Sequence, residues 1–140
     1  MLVSGGSKMS TTKIRPFLMF EGKAEEAMNF YVSLFPGAEV LDLVRYGPNG
    51  PGAAGSVVKA TFRIGTETVM CTDSTVQHGF SFTSAFSFFV ECDTEDEIDR
   101  LYAALVAGGT APMPIGNYGF SRKFGWVNDR FGVSWQLNLA

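Results

Sequence analysis

The sequence predicts an α+β fold made of two tandem βαβββ units. Two observations carry that reading. Short apolar runs rich in β-formers are interrupted by just two segments of helical periodicity. The order strand, helix, strand, strand, strand then occurs twice, with the helices about 70 residues apart. A single unit leaves its sheet incompletely covered. Fusing two is expected to close a curved sheet, with the helices packed outside and a concave face inside.

The elements follow in order. Residues 1–12 open with the small, polar, Gly-rich run Met1–Ser10 and are expected to form a disordered extension. One globular domain over 13–140 follows, its repeats spanning 13–75 and 82–140. Ile14–Phe20 is short, apolar and rich in β-formers, with Pro16 suited to an edge or an early strand position. In Lys23–Phe35, Ala24, Ala27, Met28, Tyr31, Leu34 and Phe35 recur at helical spacing, Glu25 and Glu26 suit the helix dipole, and Pro36–Gly37 ends the helix. Ala38–Tyr46 alternates as a strand. Gly47–Gly55, with four Gly and two Pro, reads as a hairpin loop. Ser56–Ile64 and Glu67–Thr72 are strands joined at Gly65–Thr66, and Asp73–Ser81 links the repeats.

The second repeat opens with the strand Ala85–Cys92. In the helix Thr94–Ala107, Thr94 is the N-cap and Glu97 stands three residues on, a capping-box spacing. Ile98, Leu101, Tyr102, Leu105 and Val106 form its apolar stripe, and Gly108–Gly109 ends it. Thr110–Ile115, Ser121–Val127 and Val133–Leu139 are strands, the last two joined by a turn at Asn128–Gly132.

Composition narrows the function. The chain has 140 residues, 46% hydrophobic and 18% charged, which excludes a disordered chain. No run approaches the roughly 20 apolar residues that cross a bilayer. A net charge of −3 supplies no electrostatic footprint for nucleic acid or an anionic membrane. Cys71 and Cys92 make no disulfide framework, and the N-terminus lacks the apolar core of a secretory leader, so a cytoplasmic protein with inert, buried thiols is expected. With one histidine, His78, a His-rich metal site cannot be built from one chain.

On the last strand, Ser134, Gln136 and Asn138 share one face, and Val133, Trp135 and Leu137 the other. The apolar face must pack under the helices, so the polar one is aimed at the cavity, where it either bonds a ligand or faces water. Phe124 and Trp126 could stack on a planar ligand or pack in the core. Asp73 could be a cavity carboxylate or cap the turn after its strand. His78 could be a general base, a lone ligand or a solvated linker residue. Glu95, Asp96, Glu97 and Asp99 fit a solvated, dipole-complementing helix start better than a metal cluster.

The duplicated unit, together with the segments PFLMFEGKAEEAMNFYVSLFPGAEV, DTEDEIDRLYAAL and FGWVNDRFGVSWQLNL, resembles the PhnB-like branch of the vicinal oxygen chelate superfamily. Its relatives include glyoxalase, bleomycin-resistance and dihydroxybiphenyl dioxygenase proteins. The branch often carries the label 3-demethylubiquinone-9 3-methyltransferase-like. The resemblance covers Ile14–Leu139. It implies the curved sheet, a homodimer (also favoured by the need to protect sheet edges) and four metal-ligand positions. By offset these fall at Pro16, Ser87, Met70 and Gln136. Proline has no donor atom in its side chain, methionine is a soft thioether, and serine rarely binds such ions unaided. One amide does not hold a divalent ion. No metal or cofactor is therefore expected, unless Asp73 and His78 supply a different ligand set. The methyltransferase label finds no Gly-rich G-x-G-x-x-G loop for a methyl donor.

The expected function is a metal-free protein that binds a small, partly apolar organic molecule between the repeats. Leu18, Met70, Asp73, Ser87, Phe124, Trp126 and Gln136 are expected to line the site. The competing readings are a metal-assisted isomerase, lyase or ring-cleaving enzyme, and a structural partner protein with a collapsed cavity.

Overall fold

A computed structural model describes residues 10–140, so most of the extension expected over 1–12 lies outside the described residues. The first repeat comprises β1 (Phe17–Phe20), α1 (Ala24–Leu34), β2 (Glu39–Arg45), β3 (Val57–Ile64) and β4 (Glu67–Asp73). The second comprises β5 (Ser87–Glu91), α2 (Glu95–Val106), β6 (Thr110–Gly116), β7 (Lys123–Asn128) and β8 (Ser134–Leu139). The α+β class and the doubled βαβββ order are as the sequence predicts.

Hydrogen bonding divides the expected curved sheet into two four-stranded sheets, ordered β1-β4-β3-β2 and β5-β8-β7-β6. In each, the first strand pairs parallel to the last, and the remaining pairs are antiparallel. β1 starts at Phe17 rather than Ile14. Pro16 has no N–H to give a ladder, although its carbonyl accepts from Met70 N at 2.9 Å.

The helix starts are capped differently. Thr94 Oγ1 accepts from Glu97 N at 3.1 Å, as the spacing predicts, and Glu97 returns a bond to Asp93 N at 2.8 Å. The N-cap position of α1 is Lys23, which offers no side-chain cap. The buried Asp73 carboxylate at the end of β4 caps it instead, accepting from Gly22 N at 2.8 Å and Ala24 N at 3.0 Å through Oδ1, and from Val57 N at 2.9 Å through Oδ2. A carboxylate beside a helix N-terminus satisfies otherwise orphaned N–H groups and complements the dipole.

α1 buries Ala24, Ala27, Met28, Tyr31 and Leu34, and α2 buries Ile98, Leu101 and Leu105. Tyr102 and Val106, also expected on the α2 stripe, are half-buried against the core. The helix-covered sides of both sheets feed one continuous core. At its centre the Trp135 ring of β8 lies 5.1 Å from Tyr31 of α1, 6.2 Å from Phe35 and 4.8 Å from Phe88. The junction between the repeats is thus occupied by packed rings. The opposite face of each sheet carries no helix.

Candidate functional site on the open face of the second sheet

Strand alternation decides which side chains reach the open faces. In the second sheet, Ser87 lies opposite Ser134, Phe89 opposite Gln136, Glu91 opposite Asn138, and Trp126 opposite Gln136. These side chains therefore share the face away from the helices, and they are bonded to one another. Trp126 Nε1 donates to Ser134 Oγ at 2.9 Å, the Ser134 and Ser87 hydroxyls are 2.6 Å apart, and Gln136 Nε2 donates to Ser87 Oγ at 3.3 Å. Asn138 Nδ2 donates to Glu91 Oε1 at 3.0 Å.

An aromatic cluster borders this polar row. Phe124 lies 6.4 Å from Phe89, 5.1 Å from Phe120 and 6.3 Å from Tyr118, ring centre to ring centre. Phe124 itself is buried, while the outer rings remain exposed: Phe89 by 55%, Phe120 by 64% and Tyr118 by 44%. The Tyr118 hydroxyl donates to the Pro114 carbonyl, which ties the segment after β6 over Phe124.

The structure therefore brings together four of the expected ligand residues, Ser87, Phe124, Trp126 and Gln136, and separates the rest. Met70 lies on the open face of the first sheet, paired with Phe17. Leu18 is a correction. It has the opposite parity to Phe17 and Met19, is 6% exposed, and belongs to the core under α1. Asp73 is a second correction. Its carboxylate is buried and committed to the backbone N–H groups of Gly22, Ala24 and Val57. Phe89, Tyr118 and Phe120 were not expected at a site. Alternation from Ser87 marks Phe89, but Tyr118 and Phe120 fall between predicted strands, where no periodicity applies.

The side chains at the four positions implied for a metal do not fit a divalent ion. Pro16 offers a carbonyl already bonded to Met70 N, Met70 offers a soft thioether, and the Ser87–Gln136 pair consists of neutral groups. Asp73 and His78 do not combine into a substitute. His78 Nε2 bonds Ser74 Oγ at 2.9 Å, and its ring stacks on Phe80 at 4.7 Å. Among the described residues, no three His, Cys, Asp or Glu side chains group around a common point. Glu95 and Asp99 instead hold the Lys123 ammonium, at 2.9 and 2.8 Å.

A groove of about 780 Å³ runs along the edge strand β5, between it and the first repeat. Its walls include Pro16, Phe35, Ile64, Ser87, Phe89 and Trp135. Ser87 and Phe89 thus border both this groove and the open face. No described helix is long and apolar enough to cross a membrane.

The family model described as 3-demethylubiquinone-9 3-methyltransferase matches residues 12–138. The solved structure of the PhnB protein from Bacillus cereus is 56% identical and superposes with a TM-score of 0.90, covering 92% of this chain and 100% of that one. Protein YjdN from Escherichia coli (strain K12) is 26% identical over 141 residues, covering 91% of this chain and 95% of that protein. A glyoxylase/bleomycin resistance protein/dioxygenase domain from Frankia sp. is 12% identical with a TM-score of 0.64, covering 94% of this chain and 99% of that one, a likeness of fold alone.

Proposed function

The chain belongs to the family described as 3-demethylubiquinone-9 3-methyltransferase, the PhnB-like branch of the glyoxalase and bleomycin-resistance superfamily, and from that premise we propose that it binds a small, partly apolar organic molecule without a metal ion. The molecule lies on the open face of the second sheet, against Gln136, Ser87 and Trp126, with the exposed rings of Phe89 and Phe120 as apolar walls. The observation that carries this reading is the hydrogen-bonded row Trp126–Ser134–Ser87–Gln136 beside an exposed aromatic cluster. A few placed polar groups among aromatic surface are what a small-molecule site requires. A second copy of the chain covers the open faces, where Phe17 and Phe89 otherwise leave large apolar areas in water.

Metal-dependent isomerase, lyase or dioxygenase chemistry is not favoured, because the donor set does not fit a divalent ion. The methyltransferase description is taken as a name. The turn from β1 to α1 holds the single glycine Gly22, and the sheets are not doubly wound.

A thermal-shift panel of planar aromatic compounds, in buffer with EDTA, tests the reading. A compound present at 100 times its Kd adds about 2.7 kcal/mol of stability. The expected result is a raised Tm that Trp126→Ala or Gln136→Ala removes. Stabilisation that requires added zinc, nickel, manganese or iron would overturn it. Sedimentation of the full chain is expected to give a dimer, and a monomer at micromolar concentration contradicts the covering copy.

A further inference from the structure

The hydrogen-bond valences of this face bear on the chemistry of a ligand it could take. The Ser134 side chain is 1% exposed, so its hydroxyl proton must find an acceptor within the protein. Its Oγ already accepts from Trp126 Nε1, and its other bonded partner among the described residues is Ser87 Oγ. Ser134 therefore donates to Ser87. Ser87 Oγ then accepts twice, from Ser134 and from Gln136 Nε2, which fills its lone pairs and turns its own proton to the half-buried open face. The half-buried Gln136 on this face keeps a second N–H and its Oε1, and neither has a bonded partner among the described residues. The face thus offers two donors and one acceptor within one side chain's width.

Across β5, β6, β7 and β8 the open side carries one charged group, the Glu91 carboxylate, which accepts from Asn138. Lys123 has the other parity and is held at α2 by Glu95 and Asp99, while Arg122, exposed just before β7, bonds the Ala140 carbonyl through Nε and keeps its charge at the sheet's end. A charge set among the rings of Phe89, Phe120 and Tyr118 loses hydration, whereas a neutral group that both accepts and donates matches the two donors and one acceptor.

We propose, resting on the binding reading above, that this face takes an uncharged aromatic molecule bearing a carboxamide or lactam group. The carbonyl accepts from Ser87 Oγ–H and Gln136 Nε2–H, the amide N–H donates to Gln136 Oε1, and the ring lies against Phe89, Phe120 and Tyr118. No bond is made or broken.

Calorimetric titration of the full chain with three probes of one shape tests this: 2-naphthamide, 2-naphthoate and 2-(aminomethyl)naphthalene. The neutral amide is expected to bind at least roughly ten-fold more tightly than either charged probe, given the cost of desolvating an unpaired charge. Gln136→Leu is expected to abolish that preference. Ser87→Ala, which alters one hydroxyl in an otherwise intact strand, is expected to reduce it and serves if the leucine variant does not fold. A charged probe that binds as tightly as the amide, with the binding lost in Trp126→Ala, overturns the ligand class and leaves the binding reading standing. An amide preference unchanged in both variants removes the proposal from this face. Failure of all three probes to bind overturns the class and the binding reading together.

Discussion

The Tyr31 hydroxyl of α1 donates to Asp129 Oδ2 at 2.7 Å, which joins the helix of the first repeat to the last turn of the second. The same oxygen accepts from Trp135 Nε1 at 2.9 Å, and Oδ1 accepts from Phe131 N at 2.8 Å and Val133 N at 3.1 Å. Asp129 is 3% exposed, so a buried carboxylate sits at the seam with donors from both repeats. Burial, and then the Asp129 charge, push the Tyr31 hydroxyl well above the usual phenol range, so it stays protonated and donating.

Tyr31→Phe removes one donor and leaves the ring packing in place. Loss of one partner from a buried charged acceptor costs about 1–3 kcal/mol. Urea denaturation is expected to show a lower midpoint with an unchanged slope. A midpoint equal to that of the parent chain would mean that the bond contributes nothing to joining the repeats.

Asp73→Asn replaces an acceptor of three backbone N–H bonds by a group with one acceptor oxygen. The stranded donors are expected to lower stability by roughly 1–3 kcal/mol, while affinity for a ligand on the second sheet stays unchanged. Stability and affinity are read on the same preparation by denaturation and titration. Lost affinity at intact stability would return Asp73 to the ligand site.

The thiols supply a pH test. Burial first, with the Asp73 charge adding to it, pushes Cys71 up to about 12, and burial with Glu97 pushes Cys92 up to about 11, from an ordinary value of 9.0. The folded protein therefore holds thiol protons that the unfolded chain gives up above pH 9. The resulting stability is complete below that value and falls as the pH rises through 9 towards 11–12. The Tm should drop between pH 9 and 11, and less steeply in Cys71→Ala. At pH 8 a thiol reagent should label both cysteines only after denaturant is added. Rapid labelling of the folded chain at that pH would contradict the burial.

The element order, both helices and the cap at Thr94 are local properties, and they were legible because periodicity and capping act over a few residues. The polar face of β8 was legible for the same reason. Ser134, Gln136 and Asn138 alternate with Trp135, Leu137 and Leu139, and the contrast shows which side must be buried. β1 has no such contrast. Phe17, Leu18, Met19 and Phe20 are all apolar, and the docking of α1 decides that Leu18 and Phe20 face the core while Phe17 and Met19 face out. Tertiary structure also decides the role of Asp73, because the N–H groups it caps come from residues 49 and 51 positions away. It likewise brings Tyr118 and Phe120 onto Phe124. Strand alternation names two faces for every strand, but the choice between them belongs to whatever packs on top, and that partner is distant in the chain.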